Sequence, residues 1–141
     1  MALLVTPADR AFSQCVRERA NWNCERCGTH YEPPTQALHC SHMHGFSRGK
    51  WGTRFNPSAA EALCYGCHQH YGELKERLDF QLSGLEQELL AERRDDLRIA
   101  KEYRRSKGKG AIAKHYREEY ARMKQLRAEG VTGRIEFEEW L

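Results

Sequence analysis

The chain has 141 residues, room for about one domain and an appendage, which excludes a large multidomain enzyme. Hydrophobic residues make up 40% of it and charged residues 30%, enough to bury a modest core and incompatible with compositional disorder. The formal net charge of +3 is too small to identify a nucleic-acid partner by itself. Its distribution is more telling. Residues 93 to 127 hold 13 basic and 5 acidic groups, whereas residues 73 to 92 and 128 to 141 are acidic. No apolar run approaches the roughly 20 residues of a membrane span, and the start is too short and lacks the basic flank of a signal peptide. A soluble, cytoplasmic protein is expected, in which clustered Cys bind metal rather than form disulfides.

In chain order, Thr6-Pro7 opens a first helix, in which Ala8, Ala11, Phe12, Cys15 and Val16 recur at helical spacing. Cys15, inside that apolar stripe, reads as a core residue. Cys24-Glu-Arg-Cys27-Gly28 reads as a metal knuckle, Leu38 to His44 as a strand, and Gly45 to Pro57 as a Gly-rich basic loop. A short helix is expected over Cys64 to His70, ending near Gly72. Beyond it, Leu74, Leu78, Leu82, Leu85 and Leu89 suit helices with one buried face, divided at the capping box Ser83-Gly-Leu-Glu86 and continuing to about Arg105. After the basic break Ser106 to Gly110, another helix spans Ala111 to Ala128 and stops at Gly130. Ile135 and Phe137 alternate like a short strand or a docking tail.

The Cys and His residues divide the chain chemically: all six Cys and six of seven His lie between Cys15 and His70. Cys24-x-x-Cys27 and Cys64-x-x-Cys67 are two pairs whose spacing lets four thiolates complete a tetrahedral structural zinc site. The 36 residues between the pairs exceed those of a simple ribbon, so a further element is inserted between the knuckles.

That insertion contains Leu38-His39-Cys40-Ser41-His42-Met43-His44-Gly45, and His68-Gln69-His70 follows the second knuckle. The combination of strand His, loop and Cys-x-x-Cys-His resembles the HNH nucleases. Phe12-x-x-Cys-Val-Arg17-x-Arg19, Cys24-x-x-Cys27-Gly28, Ser41-His42, Arg54-Phe55-Asn56 and Cys64-x-x-Cys67 are similar to the phage NinG/Rap recombination nucleases, over residues 7 to 72. The resemblance implies an α+β protein with a zinc-stapled ββα-metal (HNH) domain over residues 1–72, to which the helical spacing and charge distribution add a basic α-helical extension over 73–141 for DNA binding or dimerisation. It implies a DNA endonuclease acting with one divalent ion, Mg²⁺ or Mn²⁺, on branched or Holliday-junction DNA in phage recombination.

Carried onto this chain, the resemblance places His42 as general base and His68 as ligand of the catalytic ion. Ser41 stands where most HNH enzymes have an Asp or His ligand, so His39, on the same strand face by alternation, is the substitute. Ala59 stands in place of the middle Asn, and Asn56 is the nearest amide to brace the loop. Arg54 would orient the phosphate, beside Arg48, Lys50, Trp51 and Phe55. In the basic half, Tyr103, Tyr116 and Tyr120 accompany the cations as a surface for phosphate backbones, and the leucine-bearing helices offer a homodimer interface or a cover for the first domain. The alternatives are a sequence-tolerant nicking nuclease, a catalytically inactive zinc-dependent DNA-binding accessory protein and a zinc-stabilised adaptor.

Overall fold

The computed structural model describes residues 5–42, 54–70 and 110–140. Met43, His44, Arg48, Lys50, Trp51, Tyr103, the expected leucine-bearing helices up to Arg105 and the basic break before Gly110 lie outside the described residues. Helix α1 runs Pro7–Arg19. The Thr6 hydroxyl accepts from the Asp9 amide (3.2 Å) while Asp9 Oδ2 accepts from the Thr6 amide (2.9 Å), a reciprocal cap satisfying two otherwise orphan donors. The apolar stripe read from the sequence faces inward: Ala8, Phe12, Cys15 and Val16 are buried.

After α1 the chain turns through Asn21 and Trp22, both left-handed (φ 52° and 60°), into the first knuckle. Strand β1 (Leu38–His42) pairs antiparallel with β2 (Ala60–Cys64), His39 opposite Leu63 and His42 opposite Ala60. A 3-10 turn at Pro57–Ala59 leads into β2, and helix α2 (Tyr65–His70) follows it directly. The strand expected from Leu38 is present, and Cys64 ends a strand rather than opening a helix.

Helix α3 spans Ala111–Ala128, the expected bounds. Gly130 at φ 97° ends it, its amide donating to Arg127 O and that of Val131 to Leu126 O, both at 3.0 Å. This double closure satisfies terminal carbonyls and needs a residue free to adopt positive φ. Residues 131–140 form no strand. They dock as a tail, with Ile135 and Phe137 buried and the Ile135 amide donating to Arg19 O.

One core unites both ends of the described chain. Phe12 meets Tyr116, Phe55 and Phe137 edge-on, with ring centroids 5.1 to 6.0 Å apart, and Ile112, Ala113 and Met123 join Ala8, Val16, Leu38 and Leu63 in the same cluster. Helix α3 and the tail thus share one core with the residues of the first domain. Tyr116, expected on a DNA-facing surface, is fully buried. Its hydroxyl donates to Phe55 O and accepts from the Trp140 amide. No helix among the described residues is long and apolar enough to cross a membrane.

Candidate metal centre and adjoining histidine cleft

The two knuckles meet. The Sγ atoms of Cys24, Cys27, Cys64 and Cys67 all lie within 4.8 Å of one another, and Cys27 Sγ is 3.7 Å from Cys64 Sγ. Four thiolates about 2.3 Å from a shared zinc ion would stand about 3.8 Å apart, so the donor set fits a structural zinc site. Gly28 at φ 78° closes the first knuckle, donating its amide to Cys24 O at 2.9 Å. Glu25 anchors that knuckle to β2: its amide donates to Ala62 O (2.8 Å) and its carboxylate accepts from the Ala62 amide (2.6 Å).

The thiols differ in acidity as neighbours on one site should. Cys27 is lowered to about 6 by hydrogen bonds from the Thr29 hydroxyl and backbone, whereas Cys67 is pushed up to about 12 by its contact with Cys64 and by burial. Burial opposes ionisation of Cys24, but backbone N–H groups of Cys27, Cys64 and Arg26 outweigh it and lower its pKa. The remaining cysteines differ in setting. Cys15 is buried in the core, its thiol donating to Tyr116 O, and burial pushes its pKa far up. Cys40 is half-buried against the core.

Beside this centre, a cleft of about 940 Å³ is bordered by His39, His42 and His68. His39 Nδ1 lies 3.0 Å from His68 Nδ1, which brings two imidazole nitrogens within reach of one ion. Burial and the neighbouring His39 lower the pKa of His68, favouring the neutral, ligating form. His42 projects from the opposite face of β1, so the cleft wraps the strand. Its ring stacks on Phe12 (centroids 6.0 Å apart) and its Nε2 lies 3.0 Å from Arg54 O. A carbonyl only accepts, so Nε2 carries the proton and Nδ1 is the basic nitrogen.

Arg54, Asn56 and Ser41 are all buried beside the cleft. Arg54 does not present its guanidinium to the cleft: the side chain is 3% exposed, with Nε 3.0 Å from Asp9 Oδ1 and an NH2 2.7 Å from Asp9 Oδ2. What Arg54 offers His42 is its backbone carbonyl. Asn56 is buried and caps the 3-10 turn, Oδ1 accepting from the Ser58 amide at 2.9 Å, the bracing position expected of it. Ser41 is 1% exposed, removing its hydroxyl from the ligand question. On α3, Lys114 pairs with Glu118, Arg122 with Glu119 and Arg127 with Glu18, so acidic neighbours balance much of the described basic stretch.

The sequence reading assigned no site role to Arg10 or to the side chain of Arg17, yet both line the cleft on the α1 side. The signal was available: polar residues at 10, 13, 14 and 17 fall on one helical face. No known protein family, no curated protein and no solved structure matches this chain.

Proposed function

We propose that the chain is a metal-dependent DNA endonuclease of the HNH type, hydrolysing phosphodiester bonds with selectivity for branched DNA. The observation that carries this reading is a β-β-α unit whose strand–helix junction completes the four-cysteine centre with the preceding knuckle, and whose His39, His42 and His68 border a single cleft. In such a site His42, oriented through Nε2 by the Arg54 carbonyl, takes the proton of the attacking water at Nδ1. His39 and His68 would hold the divalent ion, which supplies charge stabilisation at the leaving oxygen when bound. Two imidazoles suit Mn²⁺ and later transition metals better than Mg²⁺, which prefers oxygen ligands. Phage recombination is the setting that the resemblance to the NinG/Rap nucleases suggests, and DNA in the cytoplasm of the host cell is the corresponding partner.

The deciding experiment compares cleavage of a four-way junction, a fork and a linear duplex, with Mg²⁺ or Mn²⁺, by the wild type and His42→Ala. Loss of about 10²- to 10⁴-fold in the variant and preference for the branched forms are expected. Failure of the wild type to cut any of them removes the enzymatic reading. Equal cutting of linear duplex removes the branch preference, and an active His42→Ala removes the base assignment.

A second reading, a zinc-stapled DNA-binding accessory protein without cleavage, is favoured by one observation. With Ser41 buried, the pair of ring nitrogens brought together for an ion among the described residues is that of His39 and His68, and the Arg54 guanidinium, held by Asp9, is not offered to a phosphate. DNA binding without cutting under any divalent ion would establish it.

A further inference from the structure

Most cations of the described residues already have an anionic neighbour. Arg19, Arg26, Arg54, Lys114, Arg122, Arg127 and Arg134 each approach a carboxylate. Among the described residues Arg10, Arg17 and Arg117 are the arginines without one, and the first two line the histidine cleft. Arg17 is half-buried. Its Nε donates to Leu38 O at 2.7 Å and its NH1 to Ser13 Oγ at 3.2 Å, which aligns the guanidinium and leaves one NH2 without a protein acceptor. Withdrawing a cation from water without a counter-charge is costly, and an anionic ligand would offset that cost. The one carboxylate among the described residues lining the cleft belongs to Asp9, and Arg54 and Thr6 already occupy it.

The shape of this wall selects among anions. Arg10 and Arg17 are two helical turns apart on one face of α1, a separation of about 10 Å at 1.5 Å per residue. Gln14 lies between them and Ser13 supports Arg17. One phosphate cannot bridge that span, whereas a nucleic-acid strand repeats its charge about every 3.4 Å of axial rise. We infer that the cleft between α1 and β1 is a channel for the sugar–phosphate backbone of a nucleic-acid strand, with Arg10 and Arg17 as its phosphate contacts. This rests on the nuclease reading only for what the strand is delivered to: His39, His42 and His68 line the same cleft. The backbone is recognised by charge and spacing rather than by base edges, so the channel is sequence-tolerant.

The test measures binding of a labelled DNA oligonucleotide to the full-length, zinc-loaded protein by fluorescence anisotropy across a salt series, without added Mg²⁺ or Mn²⁺. Arg10→Gln and Arg17→Gln should each reduce the slope of log affinity against log salt by roughly 0.7 to 0.9, the value of one phosphate contact. Arg17→Lys, which keeps the charge but loses the Leu38 and Ser13 alignment, should weaken binding while retaining most of the slope. Zinc content and the unfolding midpoint verify that each variant is folded, and Arg10→Gln, altering an exposed side chain, carries the test if Arg17→Gln does not fold. An unchanged slope in a folded Arg10→Gln and Arg17→Lys with wild-type affinity, or a drop found instead in Arg117→Gln, overturns the channel. So does absence of DNA binding by the wild type. Reduced slopes in a protein that never cleaves would retain the channel and reject the nuclease, whereas cleavage with unchanged slopes would do the reverse.

Discussion

Arg54 and Asp9, 45 positions apart, form a two-point ion pair inside the protein, at 3.0 and 2.7 Å, with side chains only 3% and 7% exposed. The pair ties the segment before β2 to the first turn of α1, where Asp9 also completes the helix cap. Removing one partner leaves the other charge buried and uncompensated, at a cost of about 3 to 5 kcal/mol. Arg54→Ala is therefore expected to lower stability by that amount in denaturant titrations. The Asp9→Leu/Arg54→Met double variant should lose less than Arg54→Ala alone, and a larger loss would show that the pair is not the source of the effect.

The same pair sets an acid response. Burial pushes the Asp9 carboxyl up, but hydrogen bonds from Arg54 and Thr6 together with the Arg54 charge outweigh it, so its native pKa lies below the ordinary 3.8. A lowered native value means that the stabilisation is complete above the unfolded-state pKa and disappears as pH falls through the native one. Stability should thus decline below about pH 4, and Asp9→Asn should lose the part of that slope due to this carboxyl. An identical slope in Asp9→Asn would assign the acid response to other groups.

For the four-cysteine centre, one zinc ion per chain is expected by metal analysis. Chelation should abolish the cooperative unfolding transition, because binding free energy at a structural zinc site is folding free energy. Cobalt substitution should give the visible absorption of a tetrahedral thiolate site, weakened in Cys64→Ser. A cooperative transition that survives complete metal removal would show that the core stands without the ion.

Tyr116 is a core residue with a polar end, and its two hydrogen bonds connect the segment before β2 to the tail. Tyr116→Phe keeps the ring packing but leaves the Phe55 carbonyl and Trp140 amide without that partner, for an expected loss of about 1 to 3 kcal/mol. DNA affinity at saturating protein stability should not change. A selective loss of DNA binding in a fully folded Tyr116→Phe would return this residue to the nucleic-acid surface.

How much of this was legible depended on the range of the forces involved. The α1 cap is written locally in Thr6-Pro7-x-Asp9, and Ala111–Ala128 is bounded by Gly110 and Gly130, so both helices could be placed from their own residues. The four ligating cysteines could be paired because two-residue spacing is itself a geometric constraint. Strand β2 could not: Ala60-Glu-Ala-Leu-Cys64 has no β-branched residue, and it is held extended by β1 and by Glu25 from the knuckle. Arg54 looked like a surface cation because its anion lies 45 positions away, and Tyr116 looked exposed because its neighbours Lys114, Arg117 and Glu118 are. Local sequence also left the tail undecided between a short strand and a docking tail. Docking on Arg19 and Phe12 settles it.

The burial of Ile112, Tyr116, Ile135 and Phe137 against Phe12 and Val16 also bears on how the protein is made. Part of the apolar face of α1 is covered by segments more than 90 positions later in the chain, so that part of its surface waits on contacts made late. The knuckles and the two strands between them can close around zinc early, but contacts of such long sequence separation form late and slowly. A nascent chain halted before residue 111 would hold a formed metal centre without the α3 and tail contacts that complete the core around α1, making interruption there a route to aggregation rather than to a smaller working unit.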